Sequence, residues 1–279
     1  MSAQELFIEG ALCGEGFSML LPLCIQQPFY PHHGIMKEQF LTIRAQSGLS
    51  GDMLLAGLAQ MNGATQNDLD ALLATLKLPT VKAGCVHVEA YAVQGVGGWR
   101  AFVDIPHEHA HRTVQDIQHI ITASAMPENA KKLASRCFAL LAEAEGNVHG
   151  IPAHAVTFHE VGALDSIIDI CLGCMLFEQL QCGSLWVSPL PMADGSIHCA
   201  HGVLPSPAPA VLQLLEGVEV CPFTGQGETV TPTAIALLKS WNASFGLWPQ
   251  MKVAKTALVY GSKVFENAPN GAIFALGEG

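Results

Sequence analysis

Apolar and polar positions settle into regular alternations only from about Met36 onward; residues 1–35 carry Gly, Pro and Gln punctuation with no sustained period. An alternating run at 40–44 predicts a short strand. Gly48-Leu49-Ser50-Gly51-Asp52-Met53 then predicts a tight turn opening a helix over 53–61. A second helix is expected over 66–76, closing before Pro79. Residues 85–91 and 99–105, joined through the glycines of 95–98, read as a hairpin. Helical spacing returns at 113–123, and Pro127 marks the first turn of a long amphipathic helix reaching about His149. A loop at 151–156 leads to a helix over 163–180 and a strand over 184–188. Prolines introduce two further helices, at 208–215 and 234–241. Strands and helices alternate without a βαβ rhythm, which predicts an α+β or irregular α/β fold, a mixed sheet with helices packed on it. Residues 36–279 form the single main domain in this reading, and residues 1–35 a leader or over-extended start.

Composition narrows the classes. Half of the 279 residues are apolar, enough to bury a sizeable core. A formal charge of −11 argues against a nucleic-acid-binding face and favours cation capture. The apolar stretch at 16–25 follows Glu5, Glu9 and Glu15 and is broken by Pro22, so it reads neither as a signal peptide nor as a membrane span, which needs roughly 18–20 apolar residues. Nine cysteines, an odd number without a repeating frame, read as reduced thiols of a cytoplasmic protein. Cys171 and Cys174, three apart in an apolar helix, are assigned to core packing.

Candidate chemistry sits in four places. His107, His109 and His111 alternate in His107-Glu108-His109-Ala110-His111-Arg112, so an extended chain places all three imidazoles on one side and a helix pairs His107 with His111. Imidazole suits nickel, zinc, copper or iron rather than magnesium or calcium; a solvated histidine-rich loop is the plain alternative. Glu145 and His149, four apart on the long helix, could ligate a metal or form an ordinary helix-end contact. His159 and Glu160 precede a helix on which Asp165 and Asp169 share a face of an otherwise apolar segment; carboxylates there need a metal, a substrate, a cap, or a partner such as Arg100 or Arg112. His198 and His201 precede the proline cluster, and Thr231 and Thr233 flank Pro232 at a helix start, which suits either an anion or an N-cap. Ser50 and Asp52 pose the same alternative at the first helix.

In this order the segments resemble the nickel-insertion (LarC) proteins. The resemblance rests on Gly48-Leu49-Ser50-Gly51-Asp52-Met53, His109-Ala110-His111-Arg112-Thr113, Ala144-Glu145 with Val148-His149-Gly150, and Phe158-His159-Glu160-Val161-Gly162-Ala163 with Asp165-Ser166-Ile167. It continues in His201-Gly202-Val203-Leu204-Pro205 with Pro207-Ala208-Pro209-Ala210, and in Thr231-Pro232-Thr233.

The resemblance implies insertion of nickel into pyridinium-3,5-bisthiocarboxylic acid mononucleotide, giving the nickel-pincer nucleotide cofactor through two nickel–sulfur bonds and one nickel–carbon bond. CTP is consumed, with manganese or magnesium assisting. Within that role the candidate metal ligands are His107, His109, His111, Glu145, His149, His159 and His201, the candidate catalytic groups Glu160 and Asp165, and the candidate contacts to the anionic nucleotide Arg112, Thr231 and Thr233. Three departures stand out: Arg44 where relatives resemble one another in carrying aspartate, a shorter histidine stretch, and an end at Gly279 about where the family's CTP-associated C-terminal portion would begin. The expectation is therefore the N-terminal half of a nickel-insertion enzyme working with a separately encoded C-terminal half, without nucleic-acid or membrane partners, and with self-association into a homo-oligomer left open. A nickel store or metallochaperone and a metal-dependent hydrolase are the competing classes.

Overall fold

The computed structural model describes residues 38–105, 111–158, 161–199, 202–266 and 268–279, apart from the side chains of His198 and Cys199. Over these residues the order is β1 (Gln39–Ala45), α1 (Gly51–Asn62), α2 (Gln66–Thr75), β2 (Val86–Val93), β3 (Val96–Val103), β4 (Arg112–Thr113), α3 (Val114–Ala123), α4 (Glu128–His149), β5 (Thr157–Phe158) and α5 (Leu164–Leu180). There follow β6 (Ser184–Val187), β7 (Leu190–Ala193), β8 (Gly195–Cys199), β9 (Gly202–Ser206), α6 (Pro209–Leu214), β10 (Val220–Phe223), α7 (Pro232–Ser240), β11 (Ser244–Phe245), β12 (Lys252–Val259) and β13 (Ala272–Glu278).

Helix boundaries follow local chemistry. Thr65 and Thr113 each accept from the backbone N–H three residues on, while Asp68 and Asp116 reach back to the threonine N–H, so α2 and α3 both start in capping boxes. Left-handed Gly63 and Gly150 close α1 and α4, supplying the positive φ that a side chain would resist. The β2–β3 hairpin turns through Gln94 and Gly95, both at positive φ, so the turn is tighter than the 95–98 glycine run suggested.

The main sheet is mixed and seven-stranded, in the order β11-β6-β1-β13-β12-β3-β2. β1 lies antiparallel to β13 and parallel to β6, so residues from near both ends of the described chain form its centre. Leu41, Ile43 and Ala45 stand opposite Leu276, Phe274 and Ala272, and all six are buried. α1 packs on this face with α5 behind it. Gly57 on α1 meets the Phe274 ring so closely that a Cβ there would lie 2.4 Å from ring carbons. The α+β architecture read from the pattern is the one observed.

α5 is apolar on nearly every side because it is enclosed: Ile167, Ile168, Cys171, Leu172, Cys174 and Leu176 are all fully buried. Burial pushes the Cys171 thiol up to about 12 and Cys174 higher still, so both are inert core side chains, as their helical spacing indicated. No helix among the described residues is long and apolar enough to cross a membrane.

Candidate functional site

Two loops define a cleft at one end of the helical layer. Gly48 has φ +153°, and a Cβ there would fall 2.0 Å from the Thr229 carbonyl oxygen, so only glycine allows the loops to touch. Leu49 N–H donates to the Thr229 carbonyl at 2.9 Å, and Thr231 N–H donates to the Leu49 carbonyl at 3.1 Å. Each loop then enters a helix, 48–50 into α1 and 229–231 into α7, so two helix N-termini, both partially positive, lie together.

The cleft between them has a volume of about 240 Å³ and is lined by Ser47, Ser50, Thr229, Thr231 and Ser262 together with Glu228, Lys263 and Phe265; the Thr229 hydroxyl donates to the Pro191 carbonyl at 2.6 Å. The Lys263 ammonium donates to the carbonyls of Gln226 at 2.6 Å and Glu228 at 3.3 Å, and sits 4.8 Å from the Phe265 ring centre. Thr231 also caps α7, accepting from Ala234 N–H at 3.3 Å. Thr233 lies beside Gly51 at the junction of the two helices.

Behind Ser50 are two carboxylates, Asp52 and Asp169. The Ser50 hydroxyl donates to Asp52 Oδ1. Asp169 rises from α5 against the first residue of α1, its Oδ2 3.2 Å from where a Gly51 Cβ would stand. Asp169 Oδ1 is sealed from solvent and has no hydrogen-bond partner. Burial, then the charge of Asp52, then that of Asp165, push the Asp169 carboxyl well above the usual range. Burial raises Asp52 as well, against hydrogen bonds from Ser50 and the backbone N–H groups of Met53 and Asp52 that lower it. The reading of motifs had set Asp52 down as an N-cap question and Asp169 as a companion of Asp165. The signal that could have singled them out is a carboxylate next to small residues at a helix start, and another within the apolar run of a buried helix.

A second assembly forms around the β4–β5 ladder. Arg112 pairs with Phe158 and Thr113 with Thr157, so the chain leaving the histidine stretch runs beside the chain approaching position 159. The Arg112 guanidinium donates to the Gly162 carbonyl at 2.7 Å. Gly162 has no room for a side chain, since a Cβ would meet Phe158 at 2.9 Å. Asp165 is exposed on the first turn of α5, its Oδ1 accepting from Ser166 N–H at 2.8 Å.

Of the other residues singled out by sequence, Glu145 and His149 face one another across 3.4 Å, the i,i+4 contact that was the plain alternative to metal ligation. Arg100 pairs with Glu89 across the β2–β3 hairpin at 2.7 Å. Arg44 is buried, donating to the Gly246 carbonyl at 2.9 Å with its guanidinium 5.5 Å from the Trp248 ring centre. His111 is exposed. His107, His109, His159, Glu160 and His201 lie outside the described residues. Among the described residues, no three His, Cys, Asp or Glu side chains converge as a metal cage would require.

These features define an α+β protein with a hydroxyl-lined cleft at paired helix starts and, apart from it, a ladder joining the two histidine-bearing tracts. The model of the nickel insertion protein family matches residues 41–277, and the chain belongs to that family. It is 38% identical over 230 residues to the pyridinium-3,5-bisthiocarboxylic acid mononucleotide nickel insertion protein of Staphylococcus epidermidis, covering 82% of this chain and 57% of that protein. A protein of the same description from Desulfitobacterium hafniense is 36% identical over 233 residues, covering 83% of this chain and 56% of its own length. The chain thus spans a little over half the length of these relatives. No solved structure matches it.

Proposed function

We propose that this chain carries nickel to pyridinium-3,5-bisthiocarboxylic acid mononucleotide and takes part in its insertion, as the nickel-handling part of a nickel-insertion enzyme. The observation that carries this reading is the β4–β5 ladder, which sets the residues flanking the histidine stretch beside those flanking His159 and Glu160. Nickel is the cargo. Ligands drawn from His107, His109, His111, His159 and His201 would hold it as imidazole donors, with Glu145 and His149 as further candidates. Imidazole and carboxylate bind nickel less tightly than a closed thiolate cage, so the metal can pass to the two sulfurs of the substrate.

Formation of the nickel–carbon bond releases the ring proton, which needs an acceptor. Glu160 and Asp165 are the proposed acceptors, Asp165 lying on the exposed first turn of α5 just after the Arg112–Gly162 contact. Thr231 and Thr233 at the start of α7 are the proposed contacts to the anionic nucleotide, with Arg112 holding the loop between Phe158 and α5. CTP hydrolysis, with manganese or magnesium, is assigned to a C-terminal portion encoded separately or downstream, and the reaction to the cytoplasm.

The deciding experiment combines this chain with the C-terminal portion of a relative, CTP, nickel and the dithiocarboxylated nucleotide, and follows the product by mass spectrometry. Nickel-bearing product that disappears in Glu160→Gln and Asp165→Asn variants is the expected result. Wild-type turnover in both variants would remove them from the reaction. Several weak nickel sites without turnover would make the chain a store. Titration of nickel into the His107/His109/His111 triple variant tests the ligand assignment separately, since unchanged affinity and stoichiometry would exclude that stretch.

A further inference from the structure

The cleft beside Gly48 holds a hydroxyl and a cation that nickel delivery through imidazoles leaves unused. Neither Ser47 nor Lys263 falls within the motifs that carry the resemblance, yet both line the cleft. Three other hydroxyls there are engaged: Ser50 donates to Asp52, Thr229 donates to the Pro191 carbonyl at 2.6 Å, and Thr231 caps α7. Ser47 is 3% exposed, and among the described residues its hydroxyl has no hydrogen-bond partner. A hydroxyl held out of water forfeits its desolvation cost unless a ligand supplies the bond. Lys263 is pinned where a surface lysine would ordinarily roam. Gly227 makes room for it, since a Cβ there would lie 2.7 Å from the ammonium, and the Gln226 and Glu228 carbonyls take two of its three N–H groups. Asn270 clamps the Phe265 backbone N–H and carbonyl at 2.8 and 2.7 Å, so the ring beside the ammonium is fixed as well.

We propose that Ser47 and Lys263 are the specificity-determining pair of this cleft, taking one terminal phosphate ester and so selecting a phosphorylated ligand over its dephosphorylated counterpart. The groups still available are donors: the Ser47 hydroxyl, the third N–H of Lys263, and the backbone N–H groups of Gly48 and Ser50, which reach no backbone carbonyl among the described residues. The starts of α1 and α7 add partial positive charge at the same place. Asp52 and Asp169 lie behind Ser50 and do not line the cleft. Glu228 does line it, but is exposed where Ser47 is buried. A ligand with its charge gathered at the inner end fits this gradient better than a polyphosphate, whose charge runs its whole length. At about 240 Å³ the cleft admits a phosphate-bearing end rather than a whole nucleotide, whose pockets run to roughly 300–1,000 Å³. The phosphate site stands on the cleft alone; its assignment to the pyridinium mononucleotide rests on the proposed nickel function.

The test is isothermal titration calorimetry of the full chain, without metal, against nicotinamide mononucleotide, nicotinamide riboside and inorganic phosphate. The mononucleotide, a stable pyridinium monophosphate, should bind at least about tenfold more tightly than the riboside, the difference expected of hydrogen bonds to a charged group. Ser47→Ala and Lys263→Met should each weaken the mononucleotide and inorganic phosphate about tenfold and leave the riboside unchanged. Lys263→Arg, which keeps the charge, should retain most of the binding. If Lys263→Met fails to fold, Ser47→Ala decides, because removing that hydroxyl breaks no hydrogen bond among the described residues. No binding of either phosphate compound by wild type, or unchanged affinity for both in Ser47→Ala, would overturn the site. Phosphate lost in the variants, without any preference for the mononucleotide over the riboside, would keep the site and overturn its assignment to the pyridinium substrate. A preference that persists while nickel turnover is absent would count against the nickel reading and not against the site.

Discussion

Arg112 and Phe158 stand opposite one another in the β4–β5 ladder, and the Arg112 guanidinium reaches past that pair to the Gly162 carbonyl at 2.7 Å. One side chain thus ties the exit of the histidine stretch to the entry of α5. Arg112→Met removes a charged donor from a part-buried carbonyl, a loss of about 1–2 kcal/mol. The expected outcome is a lower melting temperature with faster amide exchange at Phe158 and Gly162, and weaker nickel binding if the two tracts share the ion. Arg112→Lys should restore only part of this, since an ammonium lacks the planar fork. Exchange unchanged at both positions would show the contact to be dispensable.

Gly57→Ala should destabilise the protein although alanine is the better helix former by about 1 kcal/mol. The added methyl would stand 2.4 Å from ring carbons of Phe274, which is fully buried at the centre of the sheet and cannot swing away. Overpacking of this kind costs about 1–3 kcal/mol. Chemical denaturation should show the loss, and Phe274→Leu in the same chain should recover part of it.

The capping boxes predict a dependence on pH. Asp68 and Asp116 are held below the usual carboxylate range, first by the hydroxyl of the N-cap threonine and then by its backbone N–H. For a carboxyl whose folded value is depressed, the contribution is complete above the unfolded value of about 3.9 and fades as pH falls through the folded one. Asp116→Ala should therefore melt below wild type at pH 7, with the gap narrowing as acid protonates the wild-type carboxyl. A gap that persists undiminished in acid would locate the effect elsewhere.

We propose that residues 1–35 lie outside the folded unit, whose central strand begins at Gln39 and whose family match begins at residue 41. A chain starting at Met36 should then melt within a degree or so of the full chain. A marked loss of stability would assign those residues a packing role.

Much of the fold was legible because its signals are local. Thr65 with Asp68 and Thr113 with Asp116 mark helix starts that hold whatever the helices later pack against, and the period of α4 and α5 follows from one turn of backbone. The strand at 184–187 and the hairpin ending near Val103 emerged for the same reason. The strands that were not read, β12 and β13 above all, are those whose role is set by a distant partner: Phe274 is central only because Ile43 lies across from it. The candidate site divides in the same way. The histidine tracts announce themselves by residue type and spacing, as does the Thr231-Pro232-Thr233 start of α7. Asp52 and Asp169, 117 positions apart in number, carry no mark of their relation. The sequence by itself therefore determined the helices, the residue types of the candidate metal ligands and the family the chain belongs to. Only the tertiary structure decided that Asp169 of α5 lies against Gly51, next to Asp52 at the start of α1, because the encounter depends on α1 and α5 packing against each other, and no local pattern encodes that contact.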